Sequence, residues 1–157
     1  IAKAVYNSIA HKFEGTCFLE SVRENSMCCG GLVKQQETLL FEILGRKKLK
    51  VTNAALGITT IKERLRKKKV LIVLDDVNNL NQLNNLAGGL DWFGKGSIVI
   101  ITTRDKRLLV AHDIDLMYNV KELDYHEAVE LFSWNAFKKK EPSEDYVELT
   151  ERAIGYA

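Results

Sequence analysis

Residues 67–77 read KKKVLIVLDDV, and this stretch decides the fold. Its five central residues, 70–74, are all aliphatic and show none of the polar alternation of a half-exposed strand. A strand that is apolar on both faces is typical of a parallel sheet covered by helices. The stretch therefore predicts a buried strand of an α/β fold, with Asp75 and Asp76 at its carboxyl end.

Apolar periodicity on both sides of this strand extends the pattern. Strands alternate with helices along the chain, which indicates a doubly wound, mostly parallel α/β sheet. The predicted helices are at 1–13, 32–44, 54–65, 80–87 and 105–109, and the predicted strands at 16–22, 70–74, 97–103 and 116–120. The strand at 97–103 is expected to be buried like the one at 70–74.

After residue 122 the pattern changes to helix alone. Asp124 precedes an apolar periodic run and is followed three residues later by Glu127, which is the pattern of a capping box. A second helical run is expected after Pro142. We therefore predict a partial α/β domain over 1–122 and the start of a small helical subdomain over 123–157.

Composition excludes several functional classes. The chain has 157 residues and a formal net charge of +2, so a strongly basic nucleic-acid binder is not expected. Its longest aliphatic run has five residues, whereas a membrane span needs about 20. The three cysteines lack zinc-ligand spacing, which favours reduced thiols in a cytosolic setting. The chain starts in helical register without Met, so we expect it to be part of a longer protein.

The acidic pair at residues 75 and 76 is the strongest candidate for chemistry. In an open α/β sheet, ligands lie beyond the carboxyl ends of the strands. Two adjacent carboxylates repel each other there, and a Mg²⁺ ion held at about 2.1 Å would relieve that repulsion. The alternative is that the pair only caps the next helix.

Thr102, Thr103 and Arg104 follow the next predicted strand. The Arg104 guanidinium offers a fork of donors that matches phosphate oxygens. The alternative is an ion pair, for example with Asp105. Together with the acidic pair, however, Arg104 places a metal-binding acid and a phosphate-binding cation on one rim, as a nucleotide site requires.

Four segments in this order resemble the NB-ARC nucleotide-binding domain of plant disease-resistance proteins, a STAND-class P-loop ATPase. They are residues 1–25, KKKVLIVLDDV at 67–77, GLDWFGKGSIVIITTRD at 89–105 and YNVKELDYHEAVELFSWNAFK at 118–138. The absence of Trp after LDDV is similar to the subgroup with an amino-terminal TIR domain. Asn78 stands where that subgroup commonly has Asp.

The resemblance implies roles for individual residues. Asp75 would be the Walker B acid that holds Mg²⁺, and Asp76 the neighbouring catalytic acid that polarises the attacking water. Thr103 and Arg104 would contact the bound ADP or ATP, with Arg104 registering the γ-phosphate. The phosphate-binding loop, GxxxxGK[ST], is not in this sequence, so we expect the 157-residue piece alone to bind nucleotide weakly or not at all and to fold poorly.

The resemblance also implies a function for the intact protein. It would be a cytoplasmic immune receptor, with the nucleus as an alternative location, that switches between ADP-bound and ATP-bound forms and resets by slow hydrolysis. Its partners would be the nucleotide, flanking TIR and leucine-rich-repeat domains, and further copies of itself on activation, without direct nucleic-acid contact. Two alternatives stay open: an interaction module that does not turn nucleotide over, and a metabolic phosphotransferase.

Overall fold

The computed structural model describes residues 1–45, 49–114 and 116–156. They fall into two units, Ile1–Leu116 and Met117–Ala157, which are described separately. The strands are β1 Gly15–Leu19, β2 Val70–Leu74 and β3 Ile98–Ile101. The α-helices are α1 Ala2–Ile9, α2 Val22–Met27, α3 Gly31–Leu44, α4 Ala54–Leu65, α5 Leu80–Leu86, α6 Lys106–Ala111, α7 Tyr125–Phe137 and α8 Val147–Ile154.

The three strands form a parallel sheet in the order β1-β2-β3. All five residues of β2 are buried, which confirms the central strand predicted from its aliphatic run. Val70, Ile72 and Leu74 join the main apolar cluster, together with side chains from α3, α4 and α5. The α/β class is confirmed, and β2 lies at the centre of this sheet because it is apolar on both faces.

A close backbone approach keeps β3 beside β2. The Gly94 N–H donates to the Lys68 carbonyl at 2.9 Å. A Cβ atom at position 94 would lie 2.7 Å from the Lys68 carbonyl carbon, so a larger residue would push the two segments apart. Glycine at this turn therefore lets the chain enter β3 in register with β2.

The outer edge of β1 is covered by a carboxylate. The Phe18 N–H faces away from β2 and donates to Glu42 Oε2 on α3 at 3.3 Å. Next to it, burial and the nearby Glu42 carboxylate raise the pKa of the Cys17 thiol. β1 thus carries the buried Cys17 thiol, and the Glu42 carboxylate covers the neighbouring N–H at its edge.

Three predictions about the first unit need correction. The strand predicted at 16–22 ends at Leu19, because Ser21 adopts a left-handed conformation and α2 begins at Val22. The strand predicted as buried at 97–103 is the half-buried edge strand β3, in which Ile98 is 42% exposed. The helix predicted over 1–13 is α-helical only over α1, Ala2–Ile9, and continues as a 3-10 helix over Ala10–Lys12.

The prediction of a strand at 116–120 is wrong. The described residues 116–120 form neither helix nor strand, and Leu116 and Tyr118 are 93% and 83% exposed. A strand needs a neighbour for its backbone hydrogen bonds, and the described sheet pairs β1, β2 and β3 only with one another. Apolar alternation at these positions therefore does not produce a strand in this structure.

The second unit is helical. α7 begins at the capping box predicted from the sequence: the Glu127 N–H donates to Asp124 Oδ1 at 2.8 Å, and Glu127 Oε2 accepts from the Asp124 N–H at 3.0 Å. α8 follows Pro142, as expected. The assignment of residues 123–157 to a separate subdomain stays a prediction.

Candidate functional site

The carboxyl ends of β2 and β3 lie side by side. Leu74 pairs with Ile101 in the parallel register, so Asp75 and Thr102 are the next residues of their strands. The Thr102 N–H donates to the Leu74 carbonyl at 3.0 Å, and the Val77 N–H donates to the Thr102 carbonyl at 2.9 Å. Backbone hydrogen bonds thus continue past both strand ends and hold the following polar residues, including Asp75 and Thr102, next to each other.

The Thr102 hydroxyl connects the two aspartates. It donates to Asp75 Oδ1 at 2.7 Å and accepts from the Asp76 N–H at 2.9 Å. This hydroxyl has no predicted role in the sequence pattern. Its position in the sequence could have indicated such a role, because Thr102 is the first polar residue after the strand next to β2.

Asp76 has an unusual backbone. Its φ is +57°, in the left-handed region that non-glycine residues seldom adopt, although Asp and Asn tolerate it best. Its carboxylate forms an ion pair with Arg23 of α2, with 3.1 Å between Asp76 Oδ2 and Arg23 Nε. A conformation of this kind persists only where surrounding contacts hold it, and such positions cluster at functional sites.

These oxygens suit magnesium. Mg²⁺ is usually bound by one or two carboxylates, with water and phosphate oxygens completing the octahedron. Asp75 and Asp76 are half-buried, and Asp75 Oδ2 and Asp76 Oδ1 accept no hydrogen bond from the residues that the structure describes. No cluster of three or more His, Cys, Asp or Glu residues within the described ranges forms a complete protein cage, so a bound ligand would have to supply the remaining oxygens.

The segment after β3 carries Thr103 and Arg104, the other two residues predicted for the site. Thr103 Oγ1 accepts from the Asp105 N–H at 3.1 Å. Arg104 is exposed, and within the described chain no hydrogen bond or ion pair joins it to Asp75 or Asp76. The structure thus brings the two aspartates together with Thr102 and Arg23, and leaves Arg104 on a neighbouring loop.

The alternative interpretation of Arg104 as the ion-pair partner of Asp105 is wrong. Asp105 instead forms a two-pronged pair with Arg107, at 3.0 Å from Oδ1 to Nε and 2.9 Å from Oδ2 to Nη2. The hydrogen bonds from Arg107 lower the pKa of the Asp105 carboxyl. Arg104 itself therefore has no carboxylate partner in the described structure.

The helix-cap alternative for the acidic pair is also wrong. The next helix, α5, is capped by Asn79, whose Oδ1 accepts from the Asn81 N–H at 2.7 Å. Gln82 completes the capping box by accepting from the Asn79 N–H at 3.2 Å. The side chains of the two aspartates therefore do not cap α5.

Comparison with known proteins places these features in a family. The NB-ARC domain family matches residues 1–142. The chain belongs to the NB-ARC family. NB-ARC domains are nucleotide-binding modules, so the acid-bearing strand ends of β2 and β3 lie in a fold of that class.

The relatives are plant resistance proteins. The chain is 42% identical over 164 residues to TMV resistance protein N of Nicotiana glutinosa, covering 100% of this chain and 14% of that protein. It is 44% identical over 157 residues to disease resistance protein RPV1 of Vitis rotundifolia, covering 99% of this chain and 11% of that protein. A third relative, disease resistance protein RPP4 of Arabidopsis thaliana, is 38% identical over 150 residues, which cover 95% of this chain and 13% of that protein.

The chain thus spans between a tenth and a seventh of the length of these relatives. None of the helices in the described ranges is both long and apolar enough to cross a bilayer.

Proposed function

We propose that this NB-ARC chain is the ADP- and ATP-binding switch of a plant immune receptor. The observation that carries the proposal is the Asp75–Thr102–Asp76 arrangement at the adjacent ends of two parallel strands. It offers hard oxygen ligands where α/β folds bind nucleotides. Family membership and the resistance-protein relatives support the same conclusion.

In this proposal each residue has a separate task. Asp75, whose Oδ1 accepts from the Thr102 hydroxyl, would hold Mg²⁺ through its second carboxylate oxygen. Asp76 would accept a hydrogen bond from the water that attacks the terminal phosphate. Bound magnesium would supply positive charge against the phosphate oxygens. Arg104, on the exposed loop after β3, contacts the γ-phosphate, with Thr103 beside it.

The same proposal covers the whole receptor. ADP keeps it closed, ATP favours the signalling form, and slow hydrolysis restores the closed form, because γ-phosphate contacts hold one arrangement of the switch and their loss releases it. Flanking TIR and leucine-rich-repeat domains, assembly of several copies on activation and a cytoplasmic location belong to the proposal. The alternative of an interaction module assumed that the acidic pair only caps a helix, whereas Asn79 caps α5; an intact phosphate-binding loop upstream would argue further against that alternative.

The test measures ADP affinity of the intact receptor with magnesium and with EDTA. We expect Asp75→Asn to weaken binding about tenfold or more in magnesium and to leave binding in EDTA unchanged, because second-shell partners alone are worth about 10- to 100-fold at metal sites. Asp91→Asn, at an exposed aspartate, is the matched control. Equal magnesium dependence in Asp75→Asn and wild type would contradict the metal role.

In the same assay, Arg104→Ala should bring the ATP and ADP dissociation constants closer together, because only ATP carries the terminal phosphate. An unchanged ratio of the two constants would remove Arg104 from the mechanism.

A further inference from the structure

Arg23 reaches the acidic site from a different part of the chain. It is the second residue of α2, just after β1, whereas Asp76 follows β2. Arg23 Nε lies 3.1 Å from Asp76 Oδ2, and the two side chains are only 35% and 27% exposed. An ion pair shielded to this degree is less screened by water and salt than a surface pair.

Backbone contacts join the same two segments. The Arg23 N–H donates to the Asp76 carbonyl at 3.2 Å, and the Val22 N–H donates to the Asp75 carbonyl at 2.8 Å. The start of α2 is thus bound to both aspartates through the main chain. Arg23 thus contacts Asp76 twice, through a backbone hydrogen bond and through a side-chain ion pair.

Charge explains why an arginine suits this position. Asp75 and Asp76 are adjacent acidic residues, so a cation beside them offsets the repulsion between like charges. Among the residues that the structure describes, Arg23 is the cation paired with this couple. Glu24 also approaches Arg23, but at 4.0 Å and with 70% of its side chain exposed, so Asp76 is the stronger partner.

The pair also distinguishes the two oxygens of Asp76. Oδ2 is occupied by Arg23, whereas Oδ1 has no hydrogen-bond partner in the described part of the chain. The ion pair favours orientations of the carboxylate that keep Oδ2 near Arg23 Nε. The other oxygen is then the one available to accept a hydrogen bond from water.

We propose that Arg23 is a positioning residue of the nucleotide site: it holds Asp76 Oδ2 so that Oδ1 orients the attacking water. This inference rests on the proposed function, since it gives Asp76 the water-polarising role. It adds α2 to the site and predicts that a residue outside the strand ends controls turnover.

The experiment measures single-turnover hydrolysis of Mg²⁺–ATP, together with ATP affinity, in the intact receptor. We expect Arg23→Gln to lower the hydrolysis rate constant about tenfold, as outer-shell substitutions do, and to leave ATP affinity within about twofold of wild type. Arg23→Lys keeps the charge without the guanidinium fork and should recover part of the rate. Arg64→Gln, at an exposed arginine of α4, is the control and should behave as wild type.

A double-mutant cycle with Asp76→Asn tests the coupling. If Arg23 acts through Asp76, adding Arg23→Gln to Asp76→Asn causes no further loss of rate. An equal loss in both backgrounds, or a parallel fall in affinity and rate, overturns the positioning role. A wild-type receptor that binds nucleotide without hydrolysing it overturns the roles of both Asp76 and Arg23, while nucleotide binding stands.

Discussion

At the residue scale, the Thr102 hydroxyl is the contact that turns two neighbouring aspartates into one site. It supplies a donor to Asp75 and an acceptor to the Asp76 N–H, and the left-handed backbone at Asp76 depends on contacts of this kind. Removing the hydroxyl would leave a half-buried N–H without a partner, which costs about 1–3 kcal/mol.

Thr102→Val should therefore loosen the ends of β2 and β3. Valine has nearly the same shape but cannot hydrogen-bond, whereas Thr102→Ser keeps the hydroxyl and serves as the control. In hydrogen exchange on the intact receptor, peptides covering residues 70–77 and 98–105 should exchange faster in the valine variant, by the factor that about 1–3 kcal/mol implies. Equal exchange in both variants would mean that the hydroxyl contributes nothing to the site.

The residues found by sequence reasoning differ from those it missed for a physical reason. Asp75 and Asp76 directly follow a long aliphatic run, so their place at a strand end can be deduced locally. The roles of Thr102 and Arg23 depend on strand register and on the path of the chain into α2, which are properties of the folded chain. Contacts between segments far apart in sequence leave no local pattern.

At the element scale, α5 shows how a short helix is held in place directly after the acidic site. Asn79 and Gln82 form its capping box, and Gln82 Oε1 also accepts from the Asn78 N–H at 3.0 Å. A seven-residue helix is marginal by itself, so its cap contributes a large share of its stability.

Asn79→Ala should make α5 open more easily. Loss of an N-cap side chain costs about 1 kcal/mol, equivalent to about fivefold faster amide exchange across the helix. Asn84→Ala, at an exposed position of the same helix, changes side-chain bulk without touching the cap. The hypothesis fails if the two alanine variants exchange alike across residues 80–86.

Elements were predictable where their pattern is local and complete. α4 and β2 match their predicted limits, because each has a clear apolar period and a clear boundary. The partial burial of β3 and the absence of a strand in the described residues 116–120 could not be predicted in this way. Both depend on neighbouring strands, which a local pattern does not reveal. An apolar segment becomes a strand only when another strand takes its backbone hydrogen bonds.

At the scale of the whole molecule, Ile1–Leu116 contains the sheet and every contact of the acidic site. The three cysteines of this unit differ in solvent exposure. Cys17 is buried within β1, whereas Cys28 and Cys29 are exposed. All three are free thiols. The reactivity of Cys17, compared with that of the two exposed cysteines, therefore indicates whether the sheet is intact.

Alkylation of the native receptor should modify Cys28 and Cys29 and spare Cys17 until denaturant is added. Burial raises the pKa of the Cys17 thiol, so less of the reactive thiolate forms there than at an exposed cysteine, and burial also blocks access of the reagent. Mass spectrometry of the peptides separates the three sites. Labelling of Cys17 at the same rate as its exposed counterparts would show that the sheet opens readily, and a Cys28→Ser, Cys29→Ser variant checks that their modification does not itself open it.

The Glu42 carboxylate on the Phe18 N–H protects one edge of the sheet. A further strand that approached β1 would have to displace this side chain of α3 from an outward-facing backbone N–H. Unintended pairing of β1 with another polypeptide is thereby opposed by a contact within the protein's own fold.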